Sequence, residues 1–323
     1  MWERNNFKHQ DCTITILFFI VLFLITLFFT IEISRASSGN TMYVGDTQDF
    51  NYNSIQEAIN DSKDGDTIFV YAGNYTENII INKSISLLGL NKKNVSINGN
   101  SGLYSILIKS SGVTVSGFII QNCSIGIFIS GSEFKYCNIT HNIITNNHEG
   151  IRLMNSSDHN ISDNIIQHHS NYGIVLYESK NNVFLRNTFY DNFISIFFTR
   201  WSNNNLISEN IFTDYTYGIN LDYSYYNLIT RNLIKNGQYG TYLSFSKDNH
   251  ITNNSIKYNK QSGIYISNSE ENVIYPNIFL NNYQDVTKKS KPPSIKTPSF
   301  EIFLVIFTIL FIILLRKKFF KLL

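Results

Sequence analysis

From residue 142 onward an Asn returns every 22 or 23 residues, at 142, 164, 187, 210, 232, 254 and 277. Eight or nine residues after these anchors stands a bend glycine, at 150, 173, 218, 240 and 263, with Ser195 once in its place. Apolar residues alternate just beyond it, as Ile151 and Leu153, Ile174 and Leu176, Ile196 and Phe198, Ile219 and Leu221, and Ile264 and Ile266. That alternation is strand periodicity. A Ser then recurs at 156, 179, 224, 246 and 269, followed by an Asn at 182, 205, 227, 249 and 272, with His159 at the equivalent place. Two residues further on come Ile161, Phe184, Ile207, Ile229, Ile251 and Ile274. Each repeat holds short strands separated by polar turns, too short for a strand–helix–strand unit. One repeat cannot bury its own apolar face, whereas repeats stacked at the strand spacing of about 4.8 Å turn each Ile, Leu and Phe column into a continuous core. The repeat therefore predicts an all-β fold, a right-handed parallel β-helix with one chain wound as a solenoid. The two Asn columns are expected to point inward as ladders, each amide bonding to the coils above and below.

The same architecture extends upstream in a less regular form. Gly117 is expected at the anchor position, followed by Ile119, Gly126, Ile127, Ile129, Ser132 and Ile139 in their places. Further back, Ser54-Ile55-Gln56-Glu57 reads as a capping box opening a short helix with Ile55, Ala58 and Ile59 on one face. A helix there would close the end of the solenoid, where a bare strand edge invites aggregation.

Two apolar runs flank the repeats. The run from Cys12 to Ile31, after Arg4 and Lys8, reads as an export signal or signal anchor over residues 1–39, with small residues at 36–39 for cleavage. The run from Ile302 to Leu315 is followed by Arg316, Lys317, Lys318 and Lys321, so residues 300–323 read as a transmembrane or sorting tail. Basic residues at both ends put what lies between on the outer side of a membrane. Between them the expected divisions are a cap with the first coils over 40–116, regular repeats over 117–287 and a Lys/Pro linker over 288–299. The net charge of +2, with 15% charged residues, provides no basic stripe, which argues against a nucleic-acid partner. Only three cysteines occur, so there is no disulfide framework, though Cys123 and Cys137 leave one bridge open.

Ser54-Ile55-Gln56-Glu57-Ala58-Ile59, Gly65-Asp66-Thr67-Ile68, Gly73-Asn74-Tyr75 and Lys83-Ser84-Ile85-Ser86-Leu87-Leu88-Gly89 resemble the opening of pectin-lyase-like β-helix proteins. With the Asn-x-Ile repeats, the chain resembles the NosD branch, periplasmic copper-binding proteins and their archaeal surface relatives, over roughly residues 43–285. Thr297-Pro298-Ser299-Phe300-Glu301 and the apolar run after it resemble archaeal carboxy-terminal sorting tails, with Ser299 where those have Gly. The resemblance implies the fold and leaves the activity to be argued from a site.

Three kinds of site are worth weighing. Alternation points Tyr177, Phe197, Tyr242 and Tyr265 outward, with Tyr172, Tyr217, Tyr239 and Trp201 at or near the adjoining bends. Tyr177, Phe197, Trp201, Tyr242 and Tyr265 are the candidates for stacking on cell-surface or environmental polysaccharide, against the plainer reading of Tyr as a good strand former. Cys123, His148, His168 and His169 precede the bends of three successive coils and are the candidate metal ligands; thiolate and imidazole suit copper. Calcium is the other ion to weigh, because lyases of this fold use it. No cofactor is the first expectation. Catalysis would need clustered carboxylates. Asp191, Asp214, Asp222 and Glu178 lie on neighbouring coils with Arg200 and Arg231, and the Asp158-His159 pair resembles part of a uronate-epimerase motif without its Pro. No convergence is visible in the sequence, so a non-enzymatic surface protein is expected, with a carbohydrate-active enzyme or a copper accessory as alternatives. About nine Asn-x-Ser/Thr sequons, among them Asn74, Asn82, Asn138 and Asn160, fit an exported glycoprotein.

Overall fold

The computed structural model describes residues 39–45, 50–90 and 92–289. The expected signal, the tail and most of the Lys/Pro segment lie outside the described residues. Among the described residues, no helix is long and apolar enough to cross a membrane.

The described chain is an all-β parallel solenoid of about 11 turns. Ten short strands stack into one sheet, beginning with Thr41–Val44 and ending with His250–Thr252. Eighteen more form a second sheet that wraps the bend. The registers carry like residues onto like. Ile139, Ile161, Phe184, Ile207, Ile229 and Ile251 are successive partners in the first sheet. Ile144, Ile166, Phe189, Phe212, Ile234 and Ile256 are successive partners in the second. All of these are fully buried. Phe189 and Phe212 stack face to face, with centroids 4.7 Å apart.

The bend glycines recur because the backbones approach closely there. A Cβ on Gly150 would lie 2.4 Å from the Gly173 carbonyl oxygen, and one on Gly240 would lie 2.4 Å from that of Gly263. Ser195 occupies the same column, inside the continuous strand Thr188–Thr199.

Both expected Asn ladders are present. The Asn164 Oδ1 accepts from the backbone N–H of Asn142 at 3.0 Å and from its amide at 3.2 Å. The Asn142 amide also donates to the Val115 carbonyl at 2.9 Å. The pattern repeats down to Asn277, and again from Asn182 to Asn272. The upstream register differs from expectation by one residue. Phe118, not Gly117, is the rung above Asn142, donating its N–H to the Asn142 Oδ1 at 3.1 Å. Gly117, at φ +88°, takes the tight turn before it, where a Cβ would strike the Gly89 carbonyl.

The helix Ile55–Asp61 (α1) closes the first end, with Ile55, Ala58 and Ile59 buried. The Ser54 Oγ accepts from the Glu57 N–H at 3.3 Å, as a capping residue should. The carboxylate that completes the cap is Glu77, which accepts from the backbone N–H groups of Ile55 and Gln56 and from the Ser54 hydroxyl at 2.9–3.0 Å. At the other end of α1, the Lys83 ammonium donates to the carbonyls of Ile59, Asn60 and Ser62. Cys123 and Cys137 are both free and buried, so no bridge joins them.

Candidate functional site

The outward side of the bend strands carries the aromatic residues. Phe197, Asn220, Tyr242 and Tyr265 are successive partners in one row; Tyr217 and Tyr239 are partners in the row beside it. Parallel in-register stacking sets such rings one coil apart, and they pack on one another. Tyr242 and Tyr265 stack at 4.8 Å and 6°. Tyr217 and Tyr239 stack at 5.2 Å and 10°. The two pairs meet edge to face, Tyr217 with Tyr242 at 5.4 Å and Tyr239 with Tyr265 at 5.5 Å. Lys289 Nζ stands 5.8 Å from the Tyr265 ring centre. Phe197 leans on Tyr172 at 5.3 Å, and Tyr177 lies near both guanidiniums of Arg152 and Arg200, at 5.9 and 5.8 Å. These rings are therefore packed on one another or beside cationic side chains.

Trp201 is different. It is 57% exposed, and among the described residues its indole has no ring partner. It sits at a corner where its backbone N–H donates to the Tyr223 carbonyl, the next rung down. Tyr223 stacks with Phe245 at 4.9 Å, and these two are 44% and 40% exposed. Arg200, Trp201, Tyr223 and Phe245 all hold left-handed backbone, at φ +51°, +61°, +46° and +47°. Asn155, Glu178 and Asn268 take the same conformation at the equivalent turn of other coils, and the exposed Tyr136, Tyr226 and Tyr258 take it at other turns. Asn tolerates it well, whereas for a bulky side chain it costs about 1–2 kcal/mol. Large aromatics held exposed in this conformation are thus unfavourable for the fold alone, and such outliers concentrate at ligand contacts. Between this corner and Tyr242 lies half-buried Asp222, whose carboxyl is lifted above the ordinary range by burial, partly offset by hydrogen bonds from the Ser244 and Thr199 hydroxyls. Asn220, in the row of Tyr242, has a buried Oδ1 with no hydrogen-bond partner. Trp201 and the tyrosine rows are legible in the sequence, but Tyr223 and Phe245 are not, because spacing does not reveal which turn residues are left-handed.

The four metal candidates do not converge. Cys123 is buried, with its Sγ 3.0 Å from the Ser105 Oγ and donating to the Ile125 carbonyl. Burial raises its thiol pKa. His169 is buried in a third ladder: its Nδ1 accepts from the Asn147 N–H and its Nε2 donates to the Ile144 carbonyl, at 3.2 and 3.1 Å. Burial lowers its pKa to about 4. His148 faces outward to the Ser170 hydroxyl, and His168 pairs with Asp191 at 3.0 Å. Among the described residues no three His, Cys, Asp or Glu side chains group closely enough to hold a metal ion. With two of the four candidates committed to interior hydrogen bonds, these residues do not fit a copper centre.

Of the carboxylates, Asp191 and Asp214 line one open groove of about 590 Å³ with His168, Asn236 and Lys260. Both are exposed. Asp222 lies at the aromatic corner instead. Asp158 is held by Lys135 at 3.0 Å, while the His159 ring turns inward to the Ser156 hydroxyl at 2.7 Å. The pair therefore points in two directions.

The family described as periplasmic copper-binding protein (NosD) matches residues 34–216 and 168–296. A cell surface glycoprotein of Methanothermus fervidus is 44% identical over 100 residues, which is 29% of this chain and 16% of that protein. This chain thus spans about a sixth of the relative's length. Among solved structures, the Dettilon tailspike protein superposes with a TM-score of 0.59 at 16% identity, over 78% of this chain and 62% of that one. The GH136 lacto-N-biosidase from Eubacterium ramulus gives 0.53 at 12% identity, over 80% and 68%. Both likenesses are of fold. With the matched residues running through nearly the whole solenoid, the chain belongs to the NosD family of β-helix proteins.

Proposed function

We propose that this protein is a non-enzymatic cell-surface β-solenoid that binds glycan at the corner formed by Trp201, Tyr223 and Phe245. The observation that carries this reading is the gathering of three exposed aromatic side chains in left-handed backbone at one corner, at a turn where two other coils use Asn. A free indole face suits the apolar face of a sugar ring. Asp222, with the Thr199 and Ser244 hydroxyls beside it, supplies the polar contacts that a sugar's hydroxyls need.

An outer-surface location draws support from the family's periplasmic description and from the name of the Methanothermus relative. The sequons agree with it. Asn60, Asn74, Asn82, Asn94, Asn122, Asn155 and Asn253 are exposed, and none of the inward ladder asparagines is the acceptor of a sequon. The membrane is the partner expected for the terminal segments.

The test is a glycan array probed with the whole protein and with Trp201→Ala, each with and without copper or calcium. The reading predicts selective retention of one glycan class that does not require metal and is lost in the variant. Binding that Trp201→Ala retains would place the site elsewhere. Binding only with copper would favour the metal reading that the family's name suggests.

A further inference from the structure

The two ends of the solenoid differ. The first is covered by α1. At the other, no helix or strand covers the last coil among the described residues. Ile274, Phe279 and Val286 end the core columns there and are only partly buried. On its outer side Leu280, 47% exposed, follows Thr213, Lys235 and Lys257 in its column. Ile278, in a column that is Ile or Leu on most coils, is 71% exposed here. Tyr275 and Tyr283, on the same coil, are 81% and 76% exposed. Four exposed side chains of this kind on the one coil whose core is unfinished make a surface that requires a partner.

The C-terminal continuation of the chain indicates the partner. The final strand, Val286–Lys289, belongs to this same coil. Twelve residues then precede the apolar run Ile302–Leu315, and fully extended they span at most about 40 Å. If that run enters a bilayer, the last coil is tethered within that distance of the membrane surface. Two tyrosines flanking aliphatic side chains have the chemistry of the water–lipid interface, where amphipathic rings sit at headgroup level. Charge is mixed at this end: Lys288 and Lys289 are exposed beside Glu270, Glu271 and Asp285. Binding there does not call for an anionic lipid.

We infer that the last coil is a membrane-contact face, with Tyr275, Ile278, Leu280 and Tyr283 seated in the interfacial layer of the bilayer that holds the C-terminal run. The inference rests on the reading of that run as bilayer-inserted, and the solenoid then stands on the membrane by its open end.

The experiment uses the full chain with Trp2→Phe and Trp201→Phe, carrying a single reporter from Tyr283→Trp or Tyr190→Trp. Tyr190 is exposed in the column of Leu280, four coils earlier, or about 19 Å at strand spacing. Each variant is reconstituted into phosphatidylcholine vesicles with plain or brominated acyl chains. The inference predicts flotation of both variants with the vesicles, and bromine quenching at least twofold stronger for Tyr283→Trp than for Tyr190→Trp. Flotation with equal quenching would overturn the contact face while keeping the anchor. Failure to float would overturn both. A Tyr283→Trp reporter already shielded from acrylamide without vesicles would mean that a second copy covers the end, which also overturns the inference.

Discussion

An imidazole can stand in for a carboxamide in a ladder only while neutral, and this protein makes that substitution twice. His169 accepts the Asn147 N–H on Nδ1 and donates from Nε2 to the Ile144 carbonyl. Asn147 and Asn192, one coil away on either side, bond the Ile120 and Ile166 carbonyls in the same way. His159 accepts the Cys137 N–H in the neighbouring ladder. Burial holds both histidines at a pKa of about 4, against roughly 6.5 in the unfolded chain. Below pH 6.5 the unfolded chain therefore takes up protons that the folded one refuses, and stability falls as pH drops toward 4, by up to roughly 3 kcal/mol per histidine. His169→Asn, which restores the ladder residue, is expected to flatten that loss. Denaturant midpoints of the variant and the wild type at pH 7 and pH 4.5 measure the difference. A second pair in the same ladder is coupled sterically. The buried Tyr215 hydroxyl reaches across one coil to the Asn259 Oδ1 at 2.8 Å, and its ring fills the place of a side chain at Gly237, where a Cβ would lie 1.8 Å from it. Gly237→Asn alone should destabilise by more than about 3 kcal/mol through this overlap. Tyr215→Asn combined with Gly237→Asn should recover most of that loss, as a double-mutant cycle would show.

At the scale of elements, α1 is held by charges matched to its two ends. Glu77 receives the free N–H groups at its start, and Lys83 donates to the free carbonyls at its finish, each opposite in sign to the local end of the helix dipole. Lys83→Met is expected to cost about 1–3 kcal/mol and to expose the first strand edge. The readout is a lower melting temperature together with faster aggregation on light scattering; a variant with unchanged melting would remove Lys83 from the cap. The helix itself was legible from Ser54 and the apolar face of 55, 58 and 59, but Glu77 was not, since the contact spans 21 to 23 residues. Two ladders were legible because their residues are nearly all Asn. The third, through Asn147, His169, Asn192, Tyr215, Asn259 and Asn282, mixes residue types and was missed, although Asn five places after the anchors at 142, 187, 254 and 277 was the signal. The metal candidates looked clustered in sequence because they share a turn. Successive residues in that turn alternate between interior and solvent, which separates His169 from His168.

Over the described residues, stacking makes each coil depend on its neighbours, so the core runs unbroken from α1 to the last coil, with two Asn ladders along its regular part. Against that regular background the departures stand out: an apolar open end, and a corner where Trp201, Tyr223 and Phe245 keep a backbone conformation better suited to Asn. The regular part is explained by folding alone, and the proposed glycan contact accounts for the corner. A stability–function trade-off at one residue therefore bears on the account most directly. Trp201→Asn relieves left-handed strain without breaking a ring contact. The measurement is calorimetric titration of wild type and Trp201→Asn with the glycan retained on the array, alongside their melting temperatures. The account predicts affinity at least about tenfold weaker, equivalent to about 1.4 kcal/mol, with melting temperature equal or higher. Wild-type affinity in the variant, or weaker binding accompanied by a lower melting temperature, would contradict it.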